Sequence, residues 1–205
     1  MDKFNIILTS SGFNDVNNYV SEEMRELYNE IAKNKKVLIL ANAAPEGSGN
    51  FIARENVMDN FKKAGASKVS ILDADESNIN TVLDYDIIYG LGGDPRYLIE
   101  LNQFSDFKNT LVEFLKQGVY IGESAGTMIL CDDLQWVYFL KKGTKKKYDI
   151  ELETYEGLNL TKHKVFPHWN KLSDELKEKT LKYEKDNKVE LTKLNDGEYI
   201  LEYYC

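Results

Sequence analysis

One serine lies in a setting that could make it a nucleophile. Residues 122–126 are Gly-Glu-Ser-Ala-Gly and match the pattern G-x-S-x-G around Ser124. In this pattern the serine occupies a sharp turn between a strand and a helix, with its hydroxyl exposed beside the first amides of the helix. The apolar runs at 119–121 and 127–131 predict such a strand and helix. We therefore expect a hydrolase; the alternative is an ordinary tight turn with a solvated serine.

A serine hydroxyl is a poor nucleophile unless a base takes its proton. The chain has 2 histidines. His163 stands between Lys162 and Lys164, which predicts a solvated position on a strand. His168 ends an apolar run that reads as a strand, and we favour it as the base. If that strand runs parallel to the one before Ser124, His168 reaches the same edge of the sheet. The alternative for His168 is a structural turn residue.

The acid that orients the base cannot be chosen by composition, because the chain has 34 aspartates and glutamates. Asp196 follows His168 in sequence and lies in the run Asn-Asp-Gly at 195–197. This run is also an ordinary turn sequence, so a structural reading of Asp196 stays open. Four other candidates lie between the serine and the histidine: Asp132, Asp133, Asp149 and Glu151.

An oxyanion formed at the serine would need two amide donors. The residue after the nucleophile, Ala125, supplies one. The second should come from a neighbouring loop whose backbone can approach closely, and the Gly-Gly-Asp run at 92–94 suits this because glycine leaves its amide exposed. The alternative is a phosphate-binding turn, but residues 90–93 match neither common nucleotide-binding pattern.

The elements that must position these residues alternate between strands and helices. Short apolar runs separated by helical segments predict parallel strands joined by crossovers, that is, a doubly wound, mostly parallel α/β sheet with helices on both faces. Ligands of such sheets bind beyond the carboxyl ends of the strands. Loops of small residues follow three predicted strands, at 10–12, 90–94 and 122–126.

The last third of the chain has a different pattern. Residues 137–140 and 150–154 alternate like strands around a lysine-rich turn at 141–147. We interpret this turn as a solvated hairpin tip and not as a nucleic-acid patch. The segments 189–193 and 198–204 predict a closing C-terminal β-hairpin about the Asn-Asp-Gly turn.

Length and charge narrow the function further. A chain of 205 residues predicts a single domain, and a net charge of -8 argues against a nucleic-acid partner. No apolar run approaches the ~20 residues of a membrane span. Cys131 and Cys205 are far apart, and the short apolar N-terminal run does not read as a signal peptide, so we expect a cytoplasmic protein without a disulfide. No cluster of histidines and cysteines predicts a metal, and we expect no cofactor.

Together these motifs resemble a known family. The runs at 92–94, 122–126, 157–160, 166–168 and 195–197 are similar, in this order and over nearly the whole chain, to the dipeptidase E (aspartyl dipeptidase) family of serine peptidases, which includes the cyanophycinases. Family members more often carry Gly-Gly-Asn where this chain has Gly-Gly-Asp.

The resemblance implies a fold like that of class I glutamine amidotransferases, with serine in place of the usual cysteine. It implies Ser124 as nucleophile, His168 as base, and the amides of Gly93 and Ala125 as oxyanion donors. Aligning the final turn puts Asp196 where the family carries its acid. An alternative alignment puts the acid before the histidine, where Asp149 is the nearest candidate.

We therefore predict a single peptidase domain over residues 1–205 that cleaves small peptides as a monomer or homodimer. In the dipeptidase, a preference for N-terminal aspartate is associated with an arginine after the catalytic histidine. This chain has no arginine after His168, so the resemblance does not carry aspartyl specificity with it. The alternatives are another acyl hydrolase, such as an esterase or amidase, and a non-catalytic binding protein on the same fold.

Overall fold

A computed structural model describes residues 4–14, 20–46, 52–140 and 152–205. The predicted basic turn at 141–147 and two acid candidates, Asp149 and Glu151, lie outside these residues. That residues 1–205 form one domain stays a prediction.

Six of the eight strands in the described residues form one sheet, which is mostly parallel, as predicted. The strands are β1 (Ile6–Thr9), β2 (Lys36–Leu40), β3 (Lys68–Leu72), β4 (Ile87–Gly90), β5 (Val119–Glu123), β6 (Val165–Phe166), β7 (Thr192–Lys193) and β8 (Tyr199–Glu202). The sheet has the order β3-β2-β4-β5-β1-β8, in which β8 pairs antiparallel with β1 and the other pairs are parallel. The pair β6 and β7 forms a second small sheet.

Helices cover both faces of the large sheet. They are α1 (Glu22–Ala32), α2 (Ile52–Lys63), α3 (Arg96–Phe104), α4 (Phe107–Leu115), α5 (Ala125–Met128), α6 (Gln135–Leu140) and α7 (Asp174–Asn187). Alternate strand residues feed two cores, since successive side chains of a strand point to opposite faces. Ile7 packs with α1 and α2, whereas Ile6 and Leu8 belong to the core that includes α3 and α4.

The register of the sheet brings three strand ends together. Gly122 of β5 pairs with Gly90 of β4 on one side and with Leu8 of β1 on the other. The loops that follow these parallel strands therefore leave the same edge side by side. This is the edge at which doubly wound sheets bind their ligands.

The predicted C-terminal hairpin is wrong. The turn at 195–197 does close, with the amide of Glu198 donating to the carbonyl of Asn195 at 3.1 Å. The strands on its two sides then enter different sheets, because β7 pairs in parallel with β6 and β8 pairs with β1. The Glu198 carboxylate accepts from the backbone and side-chain amides of Asn195, at 2.8 and 3.0 Å, so the backbone amide of Asn195 does not pair across the turn. In this way β8 covers the edge of β1.

The predicted strand at 137–140 is a helix in the structure. The Asp133 carboxylate accepts from the amide of Gln135 at 3.0 Å and so begins α6. Trp136, Val137 and Leu140 are buried, at the one-, three- and four-residue intervals of a helix face. Of the partner strand predicted at 150–154, residues 152–154 are not extended strand, and residues 150 and 151 lie outside the described part of the chain.

Candidate active site

Ser124 occupies the turn between β5 and α5. Its backbone has φ 48° and ψ -104°, in a region that residues with a side chain rarely adopt. The amide of Ser124 donates to the carbonyl of Thr9 at 3.2 Å, and its own carbonyl accepts from Thr127 and Met128 at 3.0 and 2.9 Å. The buried Thr127 hydroxyl donates to Thr9 at 2.8 Å. These bonds tie the strained turn to the end of β1.

The glycines of the motif allow this turn to pack closely. A Cβ atom on Gly126 would lie 2.0 Å from the carbonyl oxygen of Gly90, and one on Gly122 would lie 2.6 Å from Cα of Thr127. No side chain fits at either position. The pattern G-x-S-x-G is therefore required here by contact between backbone segments.

His168 lies between Ser124 and Asp196. Its Nε2 is 3.0 Å from Oγ of Ser124, and its Nδ1 is 2.6 Å from Oδ1 of Asp196. Both distances are those of hydrogen bonds. The imidazole is 41% exposed, whereas the Asp196 side chain is 4% exposed, so the base faces solvent and the acid does not. The geometry is that of a nucleophile, a base and an orienting acid.

The route by which His168 reaches Ser124 differs from the predicted one. The strand before it, β6, pairs with β7 in the small sheet and does not extend the main sheet. The chain then turns at His168 itself, which adopts a left-handed backbone with φ 59°. The amide of Trp169 donates to the carbonyl of Leu194 at 3.0 Å, which ties this turn to the segment that carries Asp196.

Sequence reasoning missed Ser10, which contacts both the base and the acid. Its hydroxyl donates to Oδ1 of Asp196 at 2.8 Å and accepts from the backbone amide of His168 at 2.7 Å. Ser10 is fully buried directly after β1. A signal was available, because the loop at 10–12 is one of three small-residue loops at the predicted binding edge.

Opposing effects act on the Asp196 carboxyl. Burial would raise its pKa, but hydrogen bonds from His168 and Ser10, together with electrostatic interactions with His168 and Lys171, hold the pKa below its ordinary value. Two further groups orient the turn: the amide of Asp196 donates to Asn170 at 3.0 Å, and the amide of Gly197 donates to Ser11 at 3.1 Å. Asp196 is therefore held as an anion against the imidazole.

The other candidate acids within the described residues have different partners. Asp132 and Asp133 both pair with Lys164. The second histidine, His163, has Nδ1 3.0 Å from the Thr192 hydroxyl and Nε2 3.5 Å from the Glu202 carboxylate. Its side chain is 24% exposed, so it is less solvated than predicted.

The two candidate oxyanion donors lie on neighbouring loops. Gly93 has φ 148°, and a Cβ atom there would lie 2.0 Å from the carbonyl oxygen of Ala43. The next amide, of Asp94, donates to that same oxygen at 2.8 Å, which fixes the loop against the segment after β2. Among the described residues, neither the Gly93 amide nor the Ala125 amide donates to a backbone carbonyl. The backbone hydrogen bonding of these loops therefore does not use either donor.

Comparison with protein families identifies the family of the chain. The model of peptidase family S51 matches residues 6–202, nearly the full length of the chain. The chain belongs to peptidase family S51. The match spans the segments that carry Ser10, Ser124, His168 and Asp196.

Two solved structures of other proteins share the fold. A crystal structure of a candidate peptidase E protein from Listeria monocytogenes EGD-e is 25% identical and superposes with a TM-score of 0.71, covering 97% of this chain and 93% of that one. A peptidase from an acI-B1 Actinobacterium is 20% identical with a TM-score of 0.65, covering 97% and 82%.

Two curated relatives match over shorter segments. Uncharacterized peptidases of Listeria monocytogenes serovar 1/2a and Listeria innocua serovar 6a are 35% and 31% identical over 86 and 93 residues. These matches span 42% and 45% of this chain and only 40% and 43% of the relatives. No helix in the described residues has the length and apolar content needed to cross a membrane.

Proposed function

We propose that this protein is a serine peptidase that hydrolyses small peptides through Ser124, His168 and Asp196. The observation that carries the proposal is the continuous contact from the Ser124 hydroxyl through the imidazole to the Asp196 carboxylate, at 3.0 and 2.6 Å. Membership of family S51 supports peptide bonds as the target. The strained turn between β5 and α5 supports Ser124 as the attacking group, because such a turn holds the serine hydroxyl clear of the sheet.

In the first half-reaction, Oγ of Ser124 attacks the carbonyl carbon of the peptide bond while Nε2 of His168 takes its proton. Asp196 accepts from Nδ1–H and stabilises the imidazolium that forms. The tetrahedral intermediate carries a negative oxygen, which the amides of Gly93 and Ala125 stabilise. Collapse breaks the C–N bond, and the leaving amine takes the proton from Nε2.

In the second half-reaction, water attacks the acyl-serine and gives its proton to Nε2 of His168. Collapse of the second tetrahedral intermediate breaks the ester bond and returns the proton to Oγ of Ser124. The products are a free amine and a carboxylic acid, and no cofactor enters the sequence.

The proposed substrate class is small peptides, and an aspartyl preference is not part of the proposal. Arg96, the arginine nearest in sequence to the Gly93 loop, is paired with Asp94 at its own helix terminus. Arg54 is buried and paired with Asp73 at 2.6 Å. Because these acids hold both guanidinium groups, we do not assign either arginine to binding an aspartate side chain of the substrate.

Replacement of Ser124 by alanine tests the mechanism. We expect turnover of a dipeptide panel to fall at least 1,000-fold, on the order of the loss seen when a triad member is removed, and labelling by a serine-directed fluorophosphonate to disappear. Ser67→Ala is the matched control, since Ser67 is exposed. Full turnover by Ser124→Ala would overturn the proposal.

The same panel separates peptidase from esterase activity. Dipeptides and p-nitrophenyl esters are offered to the wild-type protein in parallel. We expect kcat/KM for the best dipeptide to exceed that for unactivated esters. Hydrolysis of esters alone would replace the peptidase assignment with a different acyl hydrolase on the same residues. Absence of both labelling and turnover in the wild type would favour a binding protein.

A further inference from the structure

Glu123 is a buried ionisable residue that the proposed mechanism does not use. It is the last residue of β5 and directly precedes the nucleophile, yet it is only 6% exposed. A buried glutamate is costly unless its carboxylate is hydrogen-bonded. The groups that hydrogen-bond to the Glu123 carboxylate therefore indicate which parts of the fold it connects.

The Glu123 carboxylate joins the ends of three strands. The Tyr89 hydroxyl of β4 donates to its Oε2 at 2.7 Å and accepts from the amide of Phe13 at 2.7 Å. The side-chain amide of Asn14 donates to Oε1 at 3.4 Å. Phe13 and Asn14 belong to the loop after β1. The network thus connects β4, β5 and the loop after β1 beneath the binding edge.

The same carboxylate lies against the loop that carries Gly93. A Cβ atom on Gly92 would be 2.9 Å from Oε1 of Glu123, so the backbone of Gly92 rests directly on this oxygen. The amide of Gly92 also acts as a hydrogen-bond donor that favours the ionised carboxylate. The residue one position further is Gly93, whose amide we assign to the oxyanion. Glu123 therefore contacts and supports the loop that contains Gly92 and Gly93.

We propose that Glu123 is a positioning residue, whose carboxylate holds the backbone of Gly92 and thereby sets the Gly93 amide where the oxyanion forms. The inference rests on the proposed function, because it gives that amide its role. An oxyanion donor acts in the transition state, so its displacement lowers kcat more than it raises KM.

The charge of Glu123 makes this support dependent on pH. Burial raises the pKa of Glu123 to about 7, against the hydrogen bonds from Tyr89, Asn14 and Gly92 and the electrostatic interaction with His168. The titratable groups that face it are Tyr89 of β4, Tyr28 of α1 and His168. Protonation weakens the hold on the Gly92 amide, so the loop is best supported above about pH 7.

Glu123→Gln is the first test. Glutamine keeps the size of the side chain and an acceptor for Tyr89 but carries no charge. We expect kcat on the best wild-type dipeptide to fall about 10- to 100-fold with KM changed less than threefold. In the wild type, the titration of Glu123 contributes a fall of kcat on the acid side of the pH profile, with an apparent pKa near 7. We expect this contribution to be absent in Glu123→Gln. Glu113→Gln is the matched control, because Glu113 is exposed and pairs only with Lys116 in the described structure.

Tyr89→Phe is the second test and does not depend on Glu123→Gln folding. It removes a donor that lowers the pKa of Glu123, so the acid side of the kcat profile should move to higher pH while kcat at high pH is largely retained. A purely structural role would lower stability without this shift. Thermal unfolding of each variant is measured alongside.

The outcomes separate the two proposals. If the wild type is active, Ser124→Ala is inactive and Glu123→Gln keeps the wild-type kcat and pH profile, the role of Glu123 is wrong and the proposed function stands. If Glu123→Gln does not fold, an unshifted pH profile in Tyr89→Phe has the same meaning. If Ser124→Ala is active, the proposed function falls and this inference falls with it.

Discussion

The two histidines of the chain each lie between a hydroxyl and a carboxylate. His168 is 3.0 Å from the Ser124 hydroxyl and 2.6 Å from the Asp196 carboxylate. His163 is 3.0 Å from the Thr192 hydroxyl and 3.5 Å from the Glu202 carboxylate. By the types of group alone, both sets contain the parts of a catalytic triad.

Their surroundings differ in three respects. Thr192 lies in the small strand β7, whereas Ser124 stands on a turn with φ 48°. The Glu202 carboxylate lies 3.5 Å from the imidazole of His163, whereas the Asp196 carboxylate lies 2.6 Å from His168. His163 is 24% exposed against 41% for His168, so less of its ring can meet a substrate.

The difference shows what turns such a set into a site. A hydroxyl, an imidazole and a carboxylate in contact also serve to satisfy polar groups beneath a surface. Catalysis also requires that the hydroxyl projects from the backbone. In addition, hydrogen-bond donors must lie where negative charge develops in the transition state. Ser124 stands on the strained turn between β5 and α5, and the two proposed donors follow the ends of neighbouring strands: Ala125 comes directly after Ser124, and Gly93 lies in the loop after β4.

Replacing each histidine by alanine should separate the two sets most strongly. We expect His168→Ala to lower kcat/KM by at least 1,000-fold, because the nucleophile loses its base. We expect His163→Ala to keep kcat/KM within about twofold and to lose about 1 kcal/mol of unfolding free energy, the cost of its hydrogen bonds. Steady-state kinetics and urea unfolding of both variants measure these effects.

A comparable loss of kcat/KM in a stably folded His163→Ala would contradict this distinction between the sets. Fluorophosphonate labelling provides a second readout, since it requires an activated Ser124 but no bound peptide. It should be lost in His168→Ala and retained in His163→Ala.

Ser10→Ala should have an intermediate effect. The variant removes the donor to Asp196 and leaves the buried amide of His168 without its acceptor, which costs about 1–3 kcal/mol. We expect kcat to fall about 10-fold with little change in KM, because the base is less well oriented. Ser10→Thr, which keeps the hydroxyl, should restore part of kcat if the fit allows. Unchanged kcat in Ser10→Ala would show that Asp196 and Trp169 suffice to place the imidazole.

Much of the main sheet was predictable from the sequence, because its signals are local. The apolar run at 119–121 predicted a strand, and β5 begins at the same residue and ends two residues later. Continuous apolar runs between helical segments predicted parallel strands joined by crossovers. The structure similar to this chain, from Listeria monocytogenes EGD-e, has the same fold. The contacts of Ser124 with His168 likewise join residues that short motifs had singled out.

The rest depended on pairing between distant segments. The Asn-Asp-Gly turn predicts a hairpin only if its two flanks pair with each other, and here β1 offers β8 a longer edge. The helix α6 buries Trp136, Val137 and Leu140 in the core, and this packing against distant segments is not visible in the run itself. Ser10 is 158 residues from His168, so its contact has no local pattern. Such pairings are set by the packed fold and not by propensity.

The smallest expected effect concerns the pH dependence of stability through Asp196. Its pKa is lowered in the folded protein, despite burial, by the hydrogen bonds from His168 and Ser10. A carboxyl whose pKa is lower when folded contributes stability that is fully present above its unfolded pKa, about 3.9. That stability is lost as the pH falls through the lower, folded value.

We therefore expect Asp196→Asn to be about 1–2 kcal/mol less stable than wild type near pH 6, the worth of hydrogen bonds to a charged group. The difference in stability between the two proteins should shrink below about pH 4, because the carboxyl of the wild type becomes protonated there and loses its charge. Urea unfolding of both proteins from pH 6 to pH 3 measures it, with Glu202→Gln as the counterpart from the His163 set. A difference that stays constant over this range would mean that Asp196 acts through its shape alone, and the charge would then no longer distinguish the set around His168.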